Sequence, residues 1–252
     1  IIVAAGHGTR TQSTTPKQYM NLHGVPMLRY TVQVFLENPN IDGIIVVYNP
    51  NHKDLYEFAV GDLDVLPPVA GGLTRQESVR HGLEALKELK PHKVLIHDAA
   101  RPLVSERIIN AVIDAVDENI SVIPAVAVED TIKKCEKGKV VDTINRSQML
   151  RAQTPQGFIF KEIAKCHEEM KGQNFTDDAA IREYLGNEVI TVDGSQLNFK
   201  VTTEEDFERA ERIMSIKHKT TIGQGFDVHR FCEPKSENNK IMLCGVEVEH
   251  NK

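Results

Sequence analysis

The sequence predicts an α/β protein: a mostly parallel sheet with helices on both faces and a β-hairpin arm projecting from it. Three observations carry this reading. Short apolar runs alternate with segments whose apolar residues recur at three- and four-residue spacing. One polar segment interrupts that alternation around a glycine turn. Hydrophobic residues make up 40% of the 252, enough for a sizeable buried core.

Taken in order, strands are expected over residues 1–5, 44–48, 93–97, 122–126 and 188–192, and helices over 27–37, 75–89, 106–116 and 161–170. Strands that alternate with helices pair in parallel, and such sheets bind ligands beyond the carboxyl ends of their strands. The break comes at about 129–146, where two polar runs flank Lys137-Gly138-Lys139 and read as a hairpin. Being polar at most positions, it projects and packs on a second subunit. Thr176 reads as the N-cap of a short helix over 179–185. Thr203, with Asp206 three residues on, opens a last helix that runs to Met214. The domain boundary is drawn after residue 216, with 217–219 as linker and 220–252 as the start of a second, truncated domain. The start in a strand without an initiator Met indicates a few residues missing ahead of it.

The net charge of −6 argues against a basic nucleic-acid surface, although an acidic protein can hold one local cationic pocket. No stretch has transmembrane length, so neither a nucleic acid nor a membrane is an expected partner. Cys135, Cys166, Cys232 and Cys244 are scattered, which indicates no zinc ribbon or disulfide framework and places the protein in a reducing cytoplasm.

Immediately after the first apolar run stands Ala4-Ala5-Gly6-His7-Gly8-Thr9-Arg10, and then Pro16-Lys17-Gln18-Tyr19. Small residues after a strand let backbone N–H groups approach an anion, and Arg10 and Lys17 supply charge where phosphoryl or nucleotidyl transfer develops it. Thr11 stands where a dinucleotide fingerprint needs its third glycine, and the Gly-Lys-Ser/Thr of a P-loop is absent. A lone Gly-x-Gly would merely turn the chain; the two cations tip it toward function. His97-Asp98-Ala99-Ala100-Arg101-Pro102 follows a later strand on the same edge. There Asp98 suits Mg²⁺ and Arg101 a substrate phosphate, although alone the pair reads equally as a capping carboxylate and a surface arginine. Gly71-Gly72 opens a helix, and its backbone and the Ser78 hydroxyl are placed to read a base edge; a structural turn explains it nearly as well. Lys200 alone is a solvated lysine on a strand. Near the end, Asp227 and His229 share a strand face and suit Zn²⁺, but two ligands do not make a site.

In order, Ala4-Ala5-Gly6-x-Gly8-x-Arg10, Pro16-Lys17-Gln18-Tyr19, His97 to Pro102, Asp130-Thr131 and Gln153-Thr154-Pro155-Gln156 resemble the 2-C-methyl-D-erythritol 4-phosphate cytidylyltransferase family over residues 1–216. Residues 222–246 resemble the start of 2-C-methyl-D-erythritol 2,4-cyclodiphosphate synthase, so the whole is similar to the bifunctional fusion of the two. The resemblance implies a Rossmann-like nucleotidyltransferase fold, and CTP, methylerythritol phosphate and Mg²⁺ at one site. It implies that Ala4, Ala5, Gly6, Gly8, Gly72, Ser78, Asp98 and Ala99 hold the nucleotide, with Asp98 also on Mg²⁺. Arg10, Lys17 and Lys200 become the catalytic cations. Arg101, Thr154 and Thr176 would bind the acceptor with Lys200, joined by Thr131 and Arg146 from the hairpin of a neighbour in a homodimer. Two departures stand out. Leu197 lies where several relatives carry an acid three residues before Lys200, so no second metal carboxylate is assigned. The His-Ser-Asp-Gly-Asp segment that completes the cyclase metal site is absent, so Asp227 and His229 are an incomplete pair for Zn²⁺ or another divalent ion, and no cyclase activity is expected of this chain. The alternatives are a cytidylyltransferase for another polyol phosphate such as ribitol 5-phosphate, or a nucleotide-binding module without turnover.

Overall fold

A computed structural model describes residues 1–6, 15–217, 240–243 and 246–249. The chain divides into two compact units, Ile1–Ile216 and Lys217–Lys252. In the first, the elements in chain order are β1 (Ile2–Ala4), β2 (Asn21–Leu22), β3 (Val25–Pro26), α1 (Met27–Leu36), β4 (Val46–Tyr48), α2 (Lys53–Val60), β5 (Val69–Ala70) and α3 (Arg75–Ala85). They continue with β6 (Lys93–Asp98), α4 (Glu106–Ala115), β7 (Ile120–Ala127), β8 (Ile132–Glu136), β9 (Lys139–Ile144), β10 (Leu150–Ala152), β11 (Gln156–Ile159), α5 (Phe160–Glu169), α6 (Asp178–Tyr184), β12 (Glu188–Asp193) and α7 (Glu204–Lys217). Apart from Lys217, which ends α7, the described part of the second unit is an antiparallel pair, β13 (Lys240–Leu243) with β14 (Val246–Glu249).

The main sheet runs β10-β7-β11-β6-β1-β4-β5, with β12 also on β7. Pairings β1–β4, β1–β6, β4–β5 and β12–β7 are parallel, so the sheet is mostly parallel as the alternation predicts. Strand β11 lies antiparallel between β6 and β7. It is the main strand absent from the sequence reading, because Thr154-Pro155-Gln156-Gly157 has the composition of a turn and only its tertiary neighbours extend it. Helix α2 was likewise not expected.

Residues alternate between the two faces of the sheet. Ile2, Ala4 and Val46 pack against Leu28, Val32, Phe35, Ile108 and Val112 of α1 and α4. Ile1, Ala5, Ile45 and Val47 pack against Val79, Leu83, Ile163 and Ile181 of α3, α5 and α6. This two-residue period is what splits the core into two layers, one beneath each helical face. A third cluster, Leu22, Met27, Ala100, Val201, Ala210 and Met214, seats α7. The capping box of α7 forms as expected: Asp206 N donates to Thr203 Oγ1 and Thr203 N to Asp206 Oδ2.

Two expectations are corrected. The N-cap of α6 is Asp177, whose carboxylate accepts from Ala180 N, and not Thr176, which is exposed. Lys217, assigned to the linker, ends α7. The hairpin forms as expected, with Lys137 (φ 48°) and Gly138 (φ 79°) both left-handed in a two-residue turn that matches strand twist. Among the described residues no helix is long and apolar enough to cross a membrane.

Candidate active site

Parallel pairing of β1 with β6 sets Val3 beside Asp98, so both chains turn off the sheet at the same level and their loops face each other. Between them lies a cavity of about 470 Å³. Ala4, Ala5, Gly6, Lys17, Gly72, Ser78, Asp98, Ala99 and Lys200 all line it, so the structure brings together in one place the described nucleotide and cation residues expected from sequence. Arg10, Gly8, Asp227 and His229 lie outside the described residues.

The loop after β1 is held from inside. Gln18 is buried, and its Nε2 donates to the carbonyls of Ala4 (2.7 Å) and Gly6 (2.8 Å). Lys17 Nζ donates to Val201 O at 3.1 Å, which ties the loop to the segment that carries Lys200. Across the cavity, Gly71 N donates to Tyr48 O at 2.8 Å. The Ser78 hydroxyl accepts from Gly72 N and donates to Thr74 O, so it braces the glycine turn with the group that the sequence offered to a base edge. Thr74 caps α3 by accepting from Glu77 N.

Asp98 forms the floor. Lys200 Nζ sits 2.8 Å from Oδ2, Arg75 Nε 3.1 Å from Oδ1, and Arg101 Nε 3.7 Å from Oδ2. Burial alone would push this carboxyl up, but the three cations reverse that and hold it well below the ordinary carboxylate range. Behind it, His97 is fully buried. Its Nδ1 accepts from the Thr154 hydroxyl (3.0 Å), its Nε2 donates to Arg101 O (3.2 Å), and burial pushes its pKa down to about 3.

The substrate-binding expectations fare differently. Thr154 is turned inward, its hydroxyl committed to His97 and to the N–H of Asp98, and it does not line the cavity. Arg101 is packed behind Asp98 with Nη1 on Asn198 O (2.7 Å), and its buried Nε has no hydrogen-bond partner. Thr131 and Arg146 are exposed on the arm, Arg146 donating to Glu129 O. Neither they nor Thr176 line the cavity. Conversely, Arg75 and Gln18 line it without having been singled out. The signal for Arg75 was its place at the first turn of a helix that opens on the ligand-binding edge after two glycines.

Lys17, Arg75 and Lys200 against the single carboxylate of Asp98 make the described lining cationic in a protein of net charge −6. A cationic cavity outside the carboxyl ends of a mostly parallel sheet is the arrangement of an α/β protein of the nucleotidyltransferase kind. The profile of 2-C-methyl-D-erythritol 4-phosphate cytidylyltransferase matches residues 1–216, and the chain belongs to that family. It is 44% identical over 250 residues to a bifunctional IspD/IspF enzyme of Paramagnetospirillum magneticum, covering 99% of this chain and 64% of the relative. It is 42% identical over its full length to the bifunctional enzyme of Rhodospirillum rubrum, 65% of which is covered. The chain thus spans just under two thirds of these relatives. Among solved structures it resembles 4-diphosphocytidyl-2C-methyl-D-erythritol synthase of Anaerococcus prevotii (TM-score 0.74, 30% identity, 85% of this chain and 94% of the other). It also resembles 2-C-methyl-D-erythritol 4-phosphate cytidylyltransferase of Francisella tularensis (TM-score 0.71, 31% identity, 84% and 97%).

Proposed function

We propose that the protein transfers CMP from CTP to 2-C-methyl-D-erythritol 4-phosphate and releases pyrophosphate. The observation that carries this is the cationic cavity between the β1 and β6 loops, in a chain of the cytidylyltransferase family. A phosphate oxygen of the acceptor bonds to the α-phosphorus of CTP while the bond from that phosphorus to the bridging oxygen of the leaving pyrophosphate breaks. The reaction needs no protein nucleophile, so the residues align the reactants and stabilise charge.

In this reading Ala4, Ala5, Gly6, Gly8, Gly72 and Ser78 seat the cytidine, and Asp98 and Ala99 border the ribose. Gly6 fits that role because it lines the cavity and lets the backbone there come close to a ligand. Arg10, Lys17 and Lys200 neutralise the charge that builds on the α-phosphorus and the leaving group. Arg101 takes the acceptor phosphate, a role supported by its place beside Asp98 at the floor of the cavity. Thr131 and Arg146 reach the acceptor from the arm of a second copy in a homodimer. The exposure of Ile132, Val140 and Val141 on that arm supports this.

Mg²⁺ is proposed to accompany CTP. Asp98 fits it, being ionised and the only carboxylate among the described lining residues, since Mg²⁺ commonly takes one or two carboxylates plus phosphate oxygens. Bound there, the ion would offset triphosphate charge. We place this chemistry in the cytoplasm, supported by the free thiols of Cys135 and Cys166. For the longer bifunctional protein we propose a cyclodiphosphate synthase activity as well, with Asp227 and His229 among its Zn²⁺ or other divalent-metal ligands.

The test is pyrophosphate release from CTP and Mg²⁺ with methylerythritol phosphate and ribitol 5-phosphate offered separately. Release with the first is expected. Release with ribitol phosphate alone overturns the acceptor, and CTP binding without release under either condition leaves a binding module.

A further inference from the structure

A string of charged side chains runs from the floor of the cavity into the body of the protein. Lys200 and Arg75 hold the two oxygens of Asp98. Arg75 also reaches the opposite way, its Nη1 2.8 Å from Asp178 Oδ2, and the other oxygen of Asp178 accepts from His167 Nε2 at 3.1 Å. Asp178 and His167 are each only 1% exposed.

This arrangement is costly as mere packing. Two buried carboxylates share one guanidinium, and desolvating charges of this kind commonly offsets much of their attraction, so apolar residues would fill the same space at least as stably. Nor is Asp178 needed as a cap, because Asp177 performs that task for α6. Burial would push the Asp178 carboxyl up, yet Arg75 and the His167 hydrogen bond hold it below its ordinary range, so it presents a full charge to Arg75. What the pair does supply is direction. A guanidinium gripped at two of its nitrogens has one orientation, and here that orientation carries Nε against Asp98 on the cavity floor. Arg75 itself lines the cavity, and its Nη2 donates to no described group of the protein.

We infer that Arg75 is a positioning residue of the transfer site and that Asp178 and His167 act through it, an inference that rests on the functional reading above. Without the Asp178 charge, Arg75 has one carboxylate left to hold and its orientation against Asp98 is no longer fixed. A lysine cannot substitute, because one ammonium does not span the two carboxylates.

The test compares wild type, Arg75→Lys, Asp178→Asn and the double variant in the full chain. It reads kcat and KM for CTP, the CTP dissociation constant by calorimetry, and melting temperature. Each single variant is expected to lower kcat by about tenfold or more, as misalignment of reacting groups does, with CTP affinity changed by less than about threefold. The double variant should be no worse than the poorer single one, because both changes break the same link. Turnover of Arg75→Lys within twofold of wild type, a loss confined to affinity or melting temperature, or losses that multiply in the double variant each overturn the inference. Should Asp178→Asn fail to fold, Arg75→Lys decides alone, since that side chain is 25% exposed. Wild-type protein that releases no pyrophosphate from CTP instead overturns the functional reading, and the inference with it.

Discussion

At Gly71 a single methyl group decides whether the site can form. A Cβ there would stand 2.3 Å from the Cβ of Ala5, which is fixed to the backbone of the β1 loop and cannot swing aside. Gly71→Ala should therefore spread the two walls, destabilising the protein by about 1–3 kcal/mol as overpacked sites do and abolishing CTP binding. Gly72 is the contrast. Its Cβ would meet the Glu77 side chain at 2.2 Å, but that chain is flexible and can rotate out, so Gly72→Ala should melt close to wild type. Scanning calorimetry of both variants checks this, and equal melting temperatures would show that the cavity walls are not rigid. The glycines were legible in the sequence as a turn. The partners of Arg75 were not, because Asp98 and Asp178 stand 23 and 103 residues further along the chain and meet it only after folding.

Among elements, the register of β1 against β6 sets the two loops that face each other across the cavity, and the arm of β8 and β9 sets a question of assembly. Both arm strands are exposed along almost their whole length, which is unusual for strands that carry apolar side chains. Val140 and Val141, 61% and 50% exposed, contribute little to a lone chain. Replacing both with Asp should leave the melting of a monomer nearly unchanged, yet lower the mass seen by light scattering and cut turnover by about tenfold or more, as loss of an aligning contact does. Unchanged mass and turnover would remove the arm from the site. The alternation of strands and helices was readable from apolar spacing. Strand β11 was not, since its identity depends on the neighbours β6 and β7 and on no period of its own.

For the whole molecule, burial of His97 couples stability to pH. Its folded pKa of about 3 lies below the ordinary 6.5, so the unfolded state takes up the proton first as pH falls. Its contribution is complete above about pH 6.5 and is lost progressively as pH falls toward 3, with a slope of up to about 1.4 kcal/mol per pH unit. Asp98 and Asp178, both held below 3.8, add losses of the same sign only in more acid solution. Denaturant unfolding between about pH 7 and pH 4.5 should show this slope, and His97→Asn should flatten it even if that variant is less stable throughout. A slope that persists in the variant would assign it to other groups.

The α/β class, the hairpin, the sheet edge that carries the cavity and most of the residues that gather there were legible in the sequence alone. Those features follow from local spacing of apolar residues, from turn chemistry and from motifs contiguous in the chain. Only the tertiary structure decided that Thr154 turns inward to His97, that Asp177 rather than Thr176 caps α6, and that Asp98 is gripped by cations from three separate segments. Each of these is settled by which buried polar groups can satisfy one another at close range. That competition does not exist until distant parts of the chain have been brought together and water has been excluded between them.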